Sequence, residues 1–183
     1  SETVVQLMED ADESLRGCGL EDKNLQKVRP VLQAIADRLG LTEDESLMLC
    51  SLFNMHRYYN IDMDDMCSYF SCRPLKVLKY RKAFESLSDR QVVFIRRDNV
   101  GNVNNYTIRD GAIRAIQEGH LPEKVSYKGL SKEKWLDCVD VLLKQCGENE
   151  LTPKQLLSEI CELVEENLQL PIARYVAQYL CCQ

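Results

Sequence analysis

The chain has 183 residues, with 29 acidic and 23 basic side chains, a formal net charge of −6 and 45% hydrophobic residues. This length fits one domain or two small ones, and the apolar fraction is sufficient for a buried core, which excludes disordered and collagen-like proteins. No apolar run approaches the roughly 20 residues that span a bilayer, and no basic start precedes an apolar stretch. We therefore expect a soluble cytoplasmic protein with no membrane partner.

The nine cysteines are an odd number, and most lie within apolar helical patterns. This distribution predicts reduced core residues rather than a disulfide framework. The nearest approach to a metal-binding spacing is Cys67 with Cys72, and no second pair accompanies it. The sequence therefore predicts no metal site.

The first 40 residues are predicted to form two packing helices, over about 2–15 and 22–39. The first ends at the breaker Gly17-Cys18-Gly19, and the second has Gly40 as its C-terminal cap. Because proline lacks a backbone donor and clashes with the preceding turn, Pro30 predicts a kink or break in the second helix.

A central apolar helix follows residue 42. Thr42 and Glu45 have the spacing of a capping box, in which each side chain satisfies a backbone N–H at the helix start. His56 lies in this helix, and no nucleophile or acidic partner can be assigned to it from spacing. We interpret it as a structural histidine.

The next segment has the pattern of a helix-turn-helix. A short helix capped by Asp62 is followed by a turn over 71–74 and a longer basic helix over 74–88. The apolar residues of this longer helix are predicted to face inward: Leu75, Leu78, Ala83, Phe84 and Leu87. In a helix-turn-helix the second helix enters the major groove of DNA.

A β-hairpin follows the basic helix directly. The pattern predicts a strand over 91–97, a turn-rich loop over 98–105, a returning strand over 106–108 and a closing helix over 111–118. A hairpin in this position is the wing of a winged helix, and its flanking arginines would contact phosphates.

The net charge reverses in the middle of the chain: −8 over 1–72, +6 over 73–114 and −4 over 115–183. An anion-binding surface needs such a reversal, so the sequence predicts binding of double-stranded DNA. The predicted nucleic-acid-binding residues are Lys76, Lys79, Tyr80 and Lys82 at the groove, and Arg73, Arg81, Arg96 and Arg97 on phosphates.

Two alternatives remain open. Arg81 and Lys82 are equally suited to pair with acids of the flanking segments, which would neutralise the surface. Winged helices also serve as protein-docking modules, so docking or self-association as a homo-oligomer, without nucleic acid, is the second hypothesis.

The last third of the chain is predicted to be helical. A connector over 120–130 carries a short strand at 124–127, and three amphipathic helices follow, over 131–145, 153–167 and from Pro171 onward. Trp135 falls on the apolar stripe of the first helix and is predicted to be a core residue.

The predicted fold class is mainly α: a winged helix-turn-helix with a small β-hairpin wing, flanked by N-terminal helices and a C-terminal helical module. The predicted organisation is a helical pair over 1–40, a winged-helix domain over 41–119, the connector and a helical module over 131–183. No catalytic motif and no phosphate-binding glycine loop is present, so no catalytic residue or cofactor is assigned to this chain.

Several segments resemble the region ahead of the ATPase core in bacterial AAA+ ATPases of the Bacteroides type. The likeness is carried by 39–45, by 61–66, by 75–80 through Leu87, and by 166–171. The Walker A and B elements that define that family are absent from this chain. The resemblance implies a non-catalytic N-terminal fragment whose C-terminal ATPase domain, in the same polypeptide, binds ATP and Mg²⁺.

Overall fold

A computed structural model describes residues 1–55, 60–123 and 126–180. The interpretation of His56 and the first half of the strand expected at 124–127 lie outside the described residues, as do Cys181 and Cys182. The chain divides into two compact units, unit 1 (Ser1–Glu123) and unit 2 (Lys124–Gln183).

The described residues are mainly helical, with one small two-stranded antiparallel sheet, as the sequence predicts. None of the described helices is both long and apolar enough to cross a bilayer. The elements of unit 1 are α1 (Val4–Leu15), α2 (Asp22–Leu25), α3 (Arg29–Leu39), α4 (Glu43–Met55), α5 (Met63–Phe70), α6 (Pro74–Leu78), α7 (Arg81–Asp89), β1 (Val93–Arg97), β2 (Val103–Ile108) and α8 (Asp110–Gln117). Those of unit 2 are α9 (Lys132–Gly147), α10 (Pro153–Glu165) and α11 (Pro171–Leu180).

Helix α4 is the centre of unit 1. It packs against α1, α3, α7 and β2, and every residue from Glu45 to Leu52 is buried. The predicted capping box is confirmed, since the N–H of Thr42 donates to Glu45 Oε1 at 3.2 Å and the N–H of Glu45 donates to Thr42 Oγ1 at 3.1 Å. Because α1 and α3 pack on α4, the predicted boundary at residue 40 falls inside unit 1.

The predicted break at Pro30 is confirmed. Helices α2 and α3 are separate, and Pro30 is the second residue of α3, where its missing N–H costs no helical hydrogen bond. Gly40 caps α3 in the left-handed conformation at φ 66°, which glycine adopts without steric cost.

The prediction of one continuous helix over 74–88 is wrong, because the structure has two separate helices there, α6 and α7. Tyr80, at φ −96° and ψ 14°, leaves helical geometry between α6 and α7. Phe84 and Leu87 are buried as predicted, but Leu75 and Leu78 are 74% and 49% exposed. Because the break at Tyr80 interrupts the helix, Leu75 and Leu78 in α6 do not continue the buried stripe of Phe84 and Leu87 in α7.

The hairpin pairs Val93 with Ile108 and Ile95 with Tyr106. Strand β2 begins at Val103, three residues earlier than predicted. At the turn, the backbone N–H of Asn102 donates to a carboxylate oxygen of Asp98 at 2.9 Å. This hydrogen bond closes the loop, so β2 pairs with β1 from Val103 onward.

Unit 2 has its own small core, made by α9, α10 and α11. The prediction for Trp135 is confirmed: it is buried, and its Nε1–H donates to the carbonyl of Leu163 at 3.1 Å. Asn167 is also buried, and its side-chain amide donates to the carbonyls of Tyr127 and Leu163 at 2.6 and 2.7 Å.

Candidate binding surface

Helix α7 holds the hairpin against the rest of unit 1. It packs on α4 and on β1, and the ring of Phe84 stacks on the ring of Tyr106 with centroids 4.4 Å apart. Tyr106 also exchanges two backbone hydrogen bonds with Ile61, of 3.0 and 2.8 Å. This isolated bridge attaches Ile61, two residues before α5, to the edge of β2 that does not pair with β1.

A groove of about 330 Å³ lies between α5, α6, α7 and the hairpin, and we call it the hairpin groove. The residues that line the groove are mostly apolar, and two of them are arginines. The apolar residues are Met63, Val77, Leu78, Phe84, Ile95, Val103 and Tyr106. The arginines are Arg81 and Arg97, so the hairpin groove brings together two of the predicted nucleic-acid-binding residues.

Two of the exposed apolar side chains of unit 1, Leu78 and Val103, line this groove. Among its described residues, the large hydrophobic side chains that are exposed are Leu75 (74%), Leu78 (49%), Val100 (81%) and Val103 (38%). The leucines belong to α6 and the valines to the hairpin. Sequence reasoning assigned both leucines to the core because it treated 74–88 as one helix, and the break at Tyr80 is what separates them from the buried stripe.

The arginines of the hairpin groove have partners within their own elements. Arg81 Nε pairs with Glu85 Oε1 at 2.9 Å, one helical turn away, and the Arg81 side chain is 75% exposed. Arg97 Nη1 donates to the carbonyl of Gly101 at 3.2 Å, across the hairpin turn. Both guanidinium groups therefore remain close to the groove and accessible to solvent.

A second groove, of about 510 Å³, holds three other predicted residues: Lys76, Lys79 and Tyr80. We call it the mixed-charge groove, because its lining also includes the acids Glu21, Asp22 and Asp44. Lys76 Nζ lies 3.6 Å from Glu21 Oε1. Burial, with the nearby charges of Asp44 and Asp22, raises the pKa of the Tyr80 hydroxyl to about 12, so Tyr80 stays neutral.

The remaining predicted residues, Arg73, Lys82 and Arg96, are exposed. An acid of the N-terminal segment thus pairs with Lys76, and Lys79 lines the same groove. Arg81, for which the sequence left such pairing open, pairs instead with Glu85 of its own helix. The predicted binding residues are divided between two grooves and the open surface. Lys76, expected at the DNA groove, pairs with Glu21, and Arg90, also within 73–114, lies 3.5 Å from Glu45 Oε2.

No group of three or more histidine, cysteine, aspartate or glutamate side chains is arranged to hold a metal ion within the part of the chain that the structure describes. Comparison with known proteins adds no assignment: no family model matches the sequence, and no curated protein or solved structure is significantly similar to it.

Proposed function

We propose that unit 1 is a winged-helix protein-docking module that has no catalytic activity of its own. The order of elements supports the winged-helix assignment: α4, the bridging residue Ile61, α5, the turn, α6 with α7, the hairpin and α8. The occupant is a partner segment that carries leucine-like side chains flanked by carboxylates, and it binds in the hairpin groove.

The observation that carries this proposal is the location of the exposed apolar residues. A globular protein exposes single apolar side chains freely, but a cluster beside a groove indicates an interaction surface. In the described part of unit 1 the exposed large hydrophobic side chains are confined to α6 and the hairpin. DNA binding does not require such a cluster, whereas an apolar partner does.

The charges at the groove select the partner's flanking residues. An exposed pair one helical turn apart, such as Arg81 with Glu85, contributes only a few tenths of a kcal/mol. A carboxylate of a partner can therefore replace Glu85 at little cost. Arg97 offers a second cation beside the same apolar lining.

The proposal is tested with a fluorescent amphipathic peptide that has leucines at i and i+4 and glutamates beside them. In the ¹⁵N-labelled full chain, the peptide should shift the amide resonances of α6 and the hairpin. Burying the exposed half of Leu78 contributes about 1 kcal/mol, so Leu78→Ser should weaken binding about fivefold.

Leu143→Ser is the matched control, because Leu143 in α9 is 52% exposed and lies in unit 2. It should leave peptide affinity unchanged. A peptide with lysines in place of the glutamates should bind more weakly. Equal effects of the two leucine substitutions, or no shift in α6 and the hairpin at the highest soluble peptide concentration, would refute docking. Concentration-dependent dimers lost in Leu78→Ser would make a second copy the occupant instead.

Duplex DNA binding is the second candidate. It is favoured by the exposure of Arg73, Lys82 and Arg96, none of which forms an ion pair with a carboxylate among the described residues. Neutralising about four to five phosphates predicts a slope near −4 in log K against log salt concentration. Lys79→Glu combined with Lys82→Glu should then weaken duplex binding severely while leaving helicity and melting nearly unchanged. A flat salt response leaves docking as the function.

Under either function, we propose that the module positions an attached AAA+ ATPase on its target. The sequence resemblance is the sole support for this part. The reading frame downstream of Gln183 tests it, since a Walker A motif there is expected.

A further inference from the structure

Cys67 and Cys72 lie together at the turn between α5 and α6. The backbone N–H of Cys72 donates to the carbonyl of Cys67 at 3.1 Å, and Ser71 between them takes the left-handed conformation at φ 55°. This turn closes the chain on itself and brings Cys67 and Cys72 near each other, so that each thiol affects the pKa of the other. Both side chains are partly exposed.

The loop between α1 and α2 holds this turn in place. The N–H of Gly17 donates to the carbonyl of Tyr69 at 2.8 Å, and that of Gly19 donates to the carbonyl of Phe70 at 2.6 Å. Cys18 lies between these two contacts, buried, with its sulfur accepting the N–H of Leu20 at 3.4 Å. The backbone turn that carries Cys67 and Cys72 is thus fixed by hydrogen bonds from a neighbouring loop.

We propose that Cys67 and Cys72 form a dithiol site that a low-molecular-weight disulfide, of the class of oxidised glutathione, converts into an intramolecular disulfide. One thiol loses its proton and attacks a sulfur of the oxidant, whose S–S bond breaks and releases one thiol product. The second thiol then attacks the mixed disulfide and releases the other. Two electrons pass from the cysteines to the oxidant, which leaves as two thiols.

The second step is faster than the first because it is intramolecular, whereas the raised pKa values of the two thiols slow the attack on the free oxidant. Burial raises the pKa of the Cys72 thiol to about 11, with further contributions from Cys67 and Cys18 and an opposing one from Lys76. Burial and Asp64 also raise the pKa of the Cys67 thiol. Since the thiolate is the nucleophile, the first attack is slow, and the mixed disulfide does not accumulate.

The test is peptide mapping of the reduced full chain after incubation in a mildly alkaline buffer of oxidised and reduced glutathione. Both cysteines lie in the tryptic peptide 58–76, which contains no other cysteine. We expect this peptide to lose two hydrogens and resist alkylation. Because an adjacent thiol has an effective concentration of at least about 1 mM, its internal disulfide should exceed the glutathione adduct about tenfold at roughly 0.1 mM reduced glutathione.

Cys138 and Cys146, both partly exposed and eight residues apart on α9, are the control pair. They should carry glutathione adducts rather than a bond between them. Cys72→Ser should convert Cys67 to the glutathione adduct. Separate adducts on both residues of the native chain, or a link between Cys18 and Cys72 that joins peptides 17–23 and 58–76, would overturn the proposal.

Discussion

Glu45→Ala is expected to destabilise unit 1, because one buried carboxylate connects the start of α4 to α7. Glu45 Oε1 accepts the N–H of Thr42 at 3.2 Å, and Oε2 accepts the hydroxyl of Ser86 at 3.1 Å. Arg90 Nη1 lies 3.5 Å from Oε2 and also donates to the carbonyl of Gly40. Helix α7 supports the hairpin groove, so this carboxylate contributes to the stability of the candidate surface.

The loss can be estimated contact by contact. The cap contact contributes about 1 kcal/mol, and the hydrogen bond from Ser86 to the carboxylate contributes about 1 kcal/mol. The Arg90 side chain is 41% exposed, so its ion pair is screened and adds about 0.5 kcal/mol. Glu45→Ala should therefore lower the free energy of unfolding by roughly 2–3 kcal/mol, or the melting temperature by about 8–12 °C.

Urea unfolding followed by far-UV circular dichroism measures this change. Trp135 is the single tryptophan and lies in unit 2, so its fluorescence reports on that unit separately. Glu45→Gln is the matched control, since glutamine also completes a capping box, and it should cost about 1 kcal/mol. A change below about 0.5 kcal/mol for Glu45→Ala, or equal losses for both variants, would refute the assignment of Glu45 as the connection.

Three further predictions follow from buried or turn-forming polar groups. Asn167→Asp should destabilise unit 2 by about 3 kcal/mol or more, measured by tryptophan fluorescence, because an oxygen would replace the amide that donates to two carbonyls. The backbone hydrogen bond from Asn102 lowers the pKa of Asp98 below 3.8. The Asp98 carboxylate therefore stabilises the hairpin above about pH 3.8, and this stabilisation is lost as the pH falls through the lower pKa of the folded state. An NMR titration of the Asn102 amide measures the transition. A midpoint at or above pH 3.8 would contradict the prediction. Tyr69→Phe should cost about 1–2 kcal/mol in urea unfolding, since the Tyr69 hydroxyl donates to Asp12 Oδ1 at 2.7 Å, and no loss would contradict this role.

Helix starts could be predicted because the groups that form them are neighbours in the chain. Thr42 with Glu45 and Thr152 with Gln155 are each three residues apart, and both pairs make the reciprocal hydrogen bonds of a capping box. The break before α3 is local in the same sense, because it follows from the missing backbone N–H of Pro30 itself. The hairpin was predictable in position for a similar reason, although the earlier start of β2 depends on how the loop around Asp98 closes.

The candidate surface depends on contacts between distant residues. Glu21 and Lys76 are 55 positions apart, and Ile61 and Tyr106 are 45 apart, so neither contact leaves a signal in local spacing. Composition and periodicity therefore determined that the chain is mainly helical, where most helices begin, and that its middle is basic. Only the tertiary structure decided which lysines meet acids and which leucines stay exposed, because the packing of separate helices sets those distances.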